Sequence, residues 1–299
     1  MDQVKNIVAA VGKFPQDDPV LARAAEIARS HEAELTVVHI VESLTGFEFA
    51  SPDLRLIQHE MRASVHESIE AAVARQVTGV AEVNIRIETG SPSQRLTELI
   101  DEVAADLIVM RAHQGNSILK KIVGSTTDKV VRSCRVPVLV VKRPVARDYQ
   151  QIVVSIDTSD NSDMLAPYVA ALFPLAKLSL IHFVQFPHQF ESAMLRAGSG
   201  QSVAAHRDVL INKAKASLRT LSKELENRLE SSVTRVVVGD PATSLVRATW
   251  SRNVNLIVVG SGGTGKIRQT LLGSVTRQVL RDAACDVLVC RTTPQDASS

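Results

Sequence analysis

The chain has 299 residues, 45% of them hydrophobic and 22% charged, with a formal net charge of +2. That length suits two domains of roughly 150 residues each, and the composition is that of an ordinary globular chain. So balanced a charge excludes the broad positive field of a general nucleic-acid binder.

The first apolar run, in MDQVKNIVAAVGKFPQ, is about five residues long, too short for a signal-peptide core. No stretch approaches the ~20 apolar residues of a membrane span. Cys134, Cys285 and Cys290 make an odd count that argues against a disulfide framework. These features predict a cytoplasmic chain with no membrane span and no nucleic-acid partner.

In chain order, NIVAAVG (6–12) reads as a first strand, LTVVHIV (35–41) as a second, ADLIVM (105–110) as a later one and VPVLVVKR (136–143) as the last of its group. The pattern then starts again. QIVVSID (151–157) lies under NIVAAVG at a shift of 145, and LSLIHFV (178–184) under LTVVHIV at a shift of 143. A shift of 149 places ADLIVM on VNLIVV (254–259), Gly90-Ser-Pro92 on Gly239-Asp-Pro241, and STTDKVVRSCRVPVLVVKR on SVTRQVLRDAACDVLVCRT. Several blocks aligning in one order imply two copies of one domain, 1–145 and 149–293, joined near Arg143–Tyr149.

Strands of the second copy are expected at about 151–157, 177–184, 233–239, 255–260 and 286–291, with helices between them. Short, nearly continuous Val/Ile/Leu runs suit parallel strands buried on both faces. AAHRDVLINKAKASLRTLSKELENRLE (204–230) reads as a long amphipathic helix. Asp240 before Pro241 reads as an N-cap followed by proline at the first helical position. Right-handed crossovers then give an open parallel sheet covered on both faces, which binds ligands at the carboxyl ends of its strands, where the strand order reverses.

At one such strand end lies VVGSGGTGKIRQ (258–269). Gly260 to Lys266 fits G-x-x-x-x-G-K, but Ile267 stands where a P-loop needs the Ser or Thr that holds Mg²⁺. The loop also follows a fourth strand rather than a first. Ser261-Gly-Gly-Thr264 is similar to part of the SGGxDS loop of adenylating ATP pyrophosphatases, but Gly265-Lys266 replaces its Asp-Ser. A third pattern, Gly260-x2-Gly263-x9-Gly273-Ser274, uses different residues. Glycines let the backbone approach phosphates closely, and Gly273-Ser274 opens a helix whose first N–H groups can hold an anion.

This spacing resembles the ATP-binding type of the universal stress protein family, and the resemblance runs through both copies. It implies two Rossmann-like α/β domains, each a five-stranded parallel sheet of order 3-2-1-4-5 with helices on both faces. It also implies a site for an adenine nucleotide (ATP, ADP or AMP, with or without Mg²⁺) in the second copy. Asp157 would contact the adenosine, and the backbone near Val184 would lie beside the adenine. Ser155 and Val259 would belong to the site, and Gly260 and Gly263 would admit the phosphates. Gly273, Ser274 and the N–H of Val275 would hold them, with Lys266 and Arg268 as candidate phosphate contacts. The resemblance further implies pairing of last strands, the two halves forming an internal pseudo-dimer, and a homodimer of chains.

Simpler roles stay open for these residues. Asp157 and Ser274 can each cap a helix, and Lys266 and Arg268 can merely keep the loop solvated. His39 and His182, equivalent on the second strands, read as repeated structural residues. Cys134, Cys285 and Trp250 read as packing residues.

The first copy departs from the motif. Arg111 stands where the second has Gly260, Gln114 where it has Gly263, and Gly12 where it has Asp157. The expectation is a nucleotide in the second half and none, or a different ligand, in the first. Arg111, His113, Lys120 and Lys121 form either an anion site or a solvated basic loop. No nucleophile–base pair, HExxH or kinase motif is present in the sequence, so no catalytic and no metal-ligating residues are expected. The leading reading is a nucleotide-binding stress sensor acting on an unidentified protein partner. Its competitors are a slow ATPase or nucleotidyl-transfer enzyme and a ligand-free scaffold.

Overall fold

A computed structural model describes residues 4–42, 52–112, 124–145, 148–157, 165–185, 192, 196, 200–225, 232–251, 253–262 and 272–291, without the side chains of 52–59 and 200–203. The chain divides into two compact units, Asp2–Asp148 and Tyr149–Ser299.

The N-terminal unit contains β1 (Asn6–Ala10), α1 (Asp18–His31), β2 (Glu34–Val41), α2 (Pro52–Gln76), β3 (Val83–Thr89), α3 (Pro92–Glu102), β4 (Leu107–Arg111), α4 (Ser125–Ser133) and β5 (Val138–Val141). The C-terminal unit contains β6 (Gln151–Ile156), α5 (Leu165–Leu172), β7 (Lys177–Val184), α6 (Gly200–Leu225), β8 (Ser232–Val238), α7 (Pro241–Ala248), β9 (Leu256–Gly260), α8 (Ser274–Asp282) and β10 (Asp286–Cys290). Within the first unit the strands run β3-β2-β1-β4-β5, and within the second β8-β7-β6-β9-β10. Every pairing along these two series is parallel. Each unit is therefore a parallel α/β sheet of order 3-2-1-4-5.

The sequence explains which strands lie where. The central strands β1, β4 and β9 are nearly continuous apolar runs: Ile7, Val8, Leu107, Ile108 and Val258 are all fully buried. The outer strands β3 and β8 instead alternate between half-buried and exposed residues along most of their length. A strand covered on both faces needs a continuous apolar run, and one less covered shows the two-residue period of the pleat. The short helices bury narrow stripes, with Leu96, Leu99 and Ile100 in α3 and Thr276, Val279 and Leu280 in α8. That three-and-four spacing aims one face of each helix at the core.

At Asp240 the expected cap forms, its carboxylate accepting from Thr243 N–H at 2.8 Å with Pro241 at the first helical position. Trp250 is a correction. It is 71% exposed, because it follows α7 in a surface turn instead of entering the core. Among the described residues, no helix is long and apolar enough to cross a membrane.

Candidate functional site

The strand order of the C-terminal unit reverses between β6 and β9, which are paired in register from Ile152 and Leu256 to Val154 and Val258. From β6 the chain goes outward to β7, and from β9 to β10. Crevices form at such points because the connections leave in opposite directions. Asp157 follows β6, Val184 ends β7 and Gly260 ends β9. Ser155 is half-buried in β6 opposite Ile181, and Val259 is buried in β9 opposite Val289. The described candidates on β6, β7 and β9 thus gather at or near the carboxyl end of this sheet. Gly263, Lys266 and Arg268 lie outside the described residues.

Two hydrogen bonds fasten the start of α8 to the end of β9, and a third ties that strand end to β10. Ser261 N–H donates to the Cys290 carbonyl at 2.7 Å, and Gly273 N–H donates to the Ser261 carbonyl at 2.9 Å. The Thr276 hydroxyl donates to the Gly260 carbonyl at 2.7 Å. Gly262 has φ +81°, and a Cβ added there would meet the Gly273 Cα at 2.9 Å. A Cβ on Gly273 would in turn meet the Gly262 Cα at 3.2 Å. The two backbones therefore touch, and the intervening loop leaves and returns through one neck. The glycine spacing pointed to Gly273 but not to Gly262. Its place among neighbouring glycines gave no sign of which would take the left-handed conformation.

The neck fixes the start of α8. Its N-cap is Gly273, with φ −59° and ψ 152°, and no side chain caps the helix. The first N–H groups of an α-helix have no partner within the helix, and the helix dipole adds positive potential at that end. Ser274 is the first helical residue rather than the cap, so the capping role open to it in the sequence is not used. Among the described residues the Asp157 carboxylate has no hydrogen-bond or ion-pair partner, and α5 begins only at Leu165. Asp157 is exposed beside the crevice.

The N-terminal unit repeats the frame and changes its contents. The Thr127 hydroxyl donates to the Arg111 carbonyl at 3.1 Å, as Thr276 does to Gly260. Ala112 N–H donates to the Val141 carbonyl at 3.1 Å, as Ser261 does to Cys290. Gly124 is again an N-cap without a side-chain bond. At the strand ends, however, Arg111 Nη1 lies 3.6 Å from Asp17 Oδ1. The other oxygen of Asp17 accepts from Gly12 N–H at 2.6 Å and Lys13 N–H at 3.0 Å. Asp17 is a site residue that sequence reasoning missed, because its partners come from separate segments. His113, Gln114, Lys120 and Lys121 lie outside the described residues.

His39 Nδ1 lies 3.0 Å from the Val11 carbonyl, and His182 Nδ1 lies 2.9 Å from the Ile156 carbonyl. A carbonyl only accepts, so each Nδ1 carries the proton. The pair repeats one structural bond that ties the second strand to the end of the first, as their equivalence in sequence suggests. All three cysteines are buried and none forms a disulfide. Burial pushes the Cys290 thiol far above its usual range and keeps it protonated and unreactive.

Comparison with known proteins gives one family. The universal stress protein family matches residues 3–142 and again 148–291. A protein of Staphylococcus haemolyticus described as a universal stress protein is 30% identical over 150 residues, which cover 49% of this chain and 90% of that protein. The crystal structure of a universal stress protein from Archaeoglobus fulgidus aligns with 98% of this chain and 100% of its own, at a TM-score of 0.70 and 18% identity. A Pseudomonas aeruginosa structure described in the same family aligns with 96% of this chain and 93% of its own, at a TM-score of 0.63 and 18% identity. These two structural likenesses bear on the fold alone.

Proposed function

The chain belongs to the universal stress protein family through both of its halves, and on that basis we propose that it is a nucleotide-responsive stress protein whose C-terminal unit holds an adenine nucleotide. The nucleotide in this reading is ATP, ADP or AMP, with or without Mg²⁺. One observation carries the reading: α8 starts at a glycine, without a side-chain cap, fastened to the end of β9 beside Asp157, whose carboxylate has no partner among the described residues. A helix N-terminus held at a strand-order reversal is a phosphate site by backbone geometry and dipole.

In this reading the N–H groups of Ser274 and Val275 donate to phosphate oxygens, and the Ser274 hydroxyl adds a further donor. Gly260 and Gly263 keep the approach free of side chains. Asp157 accepts from a sugar hydroxyl, while Val184, with Ser155 and Val259 close by, borders the base. Lys266 and Arg268 supply positive charge from the loop. Nucleotide binding alters a surface that a protein partner reads. Association of two chains as a homodimer belongs to the same reading. No chemical step belongs to this reading.

The test is thermal unfolding with and without ATP for the wild type and Gly260→Arg, which installs the arginine of the first copy. The expected result is a rise in Tm for the wild type that is lost in the variant. A full rise in Gly260→Arg would show that the site lies elsewhere. Turnover of ATP above about 1 per second, a typical enzyme rate, would replace the sensor with an enzyme.

A further inference from the structure

The two units share the frame that fastens a helix N-terminus to a strand end, but among the described residues only the N-terminal unit has its switch point bridged by an ion pair. In the N-terminal unit β1 and β4 are adjacent, paired from Ile7 and Leu107 to Ala10 and Met110, and the strand order reverses between them. Arg111 ends β4, Gly12 and Lys13 follow β1, and Asp17 leads into α1. One carboxylate joins these three places. It accepts two backbone N–H groups with Oδ2 and faces the Arg111 guanidinium with Oδ1. The Asp17 side chain is 4% exposed and the Arg111 side chain 39%. A buried anion with fixed donors therefore anchors a long cation that stands at the mouth of the crevice.

We infer that Arg111, anchored by Asp17, closes the N-terminal switch point, and that this residue pair limits each chain to one nucleotide. The inference rests on the nucleotide reading of the C-terminal unit and adds a specificity-determining pair to it.

Three physical consequences support it. The Gly12 and Lys13 N–H groups, which could otherwise meet a ligand oxygen, are already satisfied. The guanidinium does not present an uncompensated charge to phosphate, because a carboxylate lies beside it. Its bulk stands where the C-terminal unit has the bare backbone of Gly260. The closure uses a charge pair with one nearly buried member, which is less screened than a pair in open water.

The test counts bound ATP per full-length chain by equilibrium dialysis for the wild type, Arg111→Gly and Gly260→Arg. The expected ratios are one for the wild type, more than one for R111G with the added site weaker, and none for G260R. A wild-type ratio of two, or an R111G ratio that stays at one, overturns the closure while leaving the C-terminal site standing. If the wild type binds none, the C-terminal reading fails. The closure is then decided by R111G alone: binding that appears supports it, and continued absence overturns it. Asp17→Asn is the second variant should R111G fold poorly. It keeps an acceptor for the backbone N–H groups and removes the charge that holds Arg111, so its ratio is also expected to exceed one, and a ratio equal to the wild type overturns the proposal.

Discussion

At the scale of single residues, the contact between Gly262 and Gly273 decides where α8 begins. Gly262 combines φ +81° with a backbone neighbour 2.9 Å from any added Cβ. An L side chain in the left-handed region costs about 1–2 kcal/mol, and the neighbour here is backbone, which cannot rotate away. Gly79 makes a useful control. Its φ is +70°, but the atom nearest an added Cβ, at 3.0 Å, belongs to the flexible Arg29 side chain. Gly262→Ala and Gly79→Ala should each lower stability by about 1–2 kcal/mol. Only Gly262→Ala should also remove most of the ATP-induced rise in Tm, because only it displaces the start of α8. Equal ATP responses in the two variants would separate the neck from the site. Spacing alone revealed Gly273 and Gly260. It could not reveal Gly262, since a positive φ is a property of the closed loop rather than of any local sequence.

At the scale of elements, two equivalent helices show how far a motif can be read. Gly90-Ser-Pro92 and Gly239-Asp-Pro241 align at one shift, and both place proline at the start of a helix. The caps differ in the structure. Asp240 accepts from Thr243 N–H, whereas Ser91 makes no side-chain cap bond. Asp240→Ala should therefore cost about 1 kcal/mol, the usual value of a lost N-cap, while Ser91→Ala should stay within about 0.5 kcal/mol. Urea unfolding of both variants near neutral pH checks the difference. Hydrogen bonds from Thr243 hold the Asp240 carboxyl below its ordinary 3.8. A lowered folded-state value makes the cap's contribution complete above that pH and lost as pH falls through the lowered one. The gap between the two variants should close in acid, and a gap that persists there would mean the cap does not act through its charge. The acidic cap was legible because Asp before Pro admits few other readings. The idle serine was not, since its hydroxyl has other acceptors to choose from.

For the whole molecule, the repeat made most of the architecture legible. Shifts of 143, 145 and 149 that align sequence blocks also align hydrogen bonds, among them His39 with His182 and Thr127 with Thr276. What the repeat could not show is where one copy adds contacts of its own, as with Asp17, and Glu26 is another instance. It sits in α1, ion-paired with the nearly buried Arg23. Burial pushes its carboxyl up to about 7 from the ordinary 4.5, the Arg23 guanidinium only partly opposes this, and the carboxylate of Asp148 adds to it. Since the folded chain keeps this proton over a range where the unfolded chain has released it, stability should fall as pH rises from about 4.5 to about 7 and then level off. Glu26→Gln cannot titrate and should flatten that part of the curve. Urea midpoints for the wild type and the variant at pH 5 and pH 8 measure it. The expected result is a smaller drop between the two pH values in Glu26→Gln. An identical drop would place the titrating group elsewhere, because every other acid in the chain is common to both proteins.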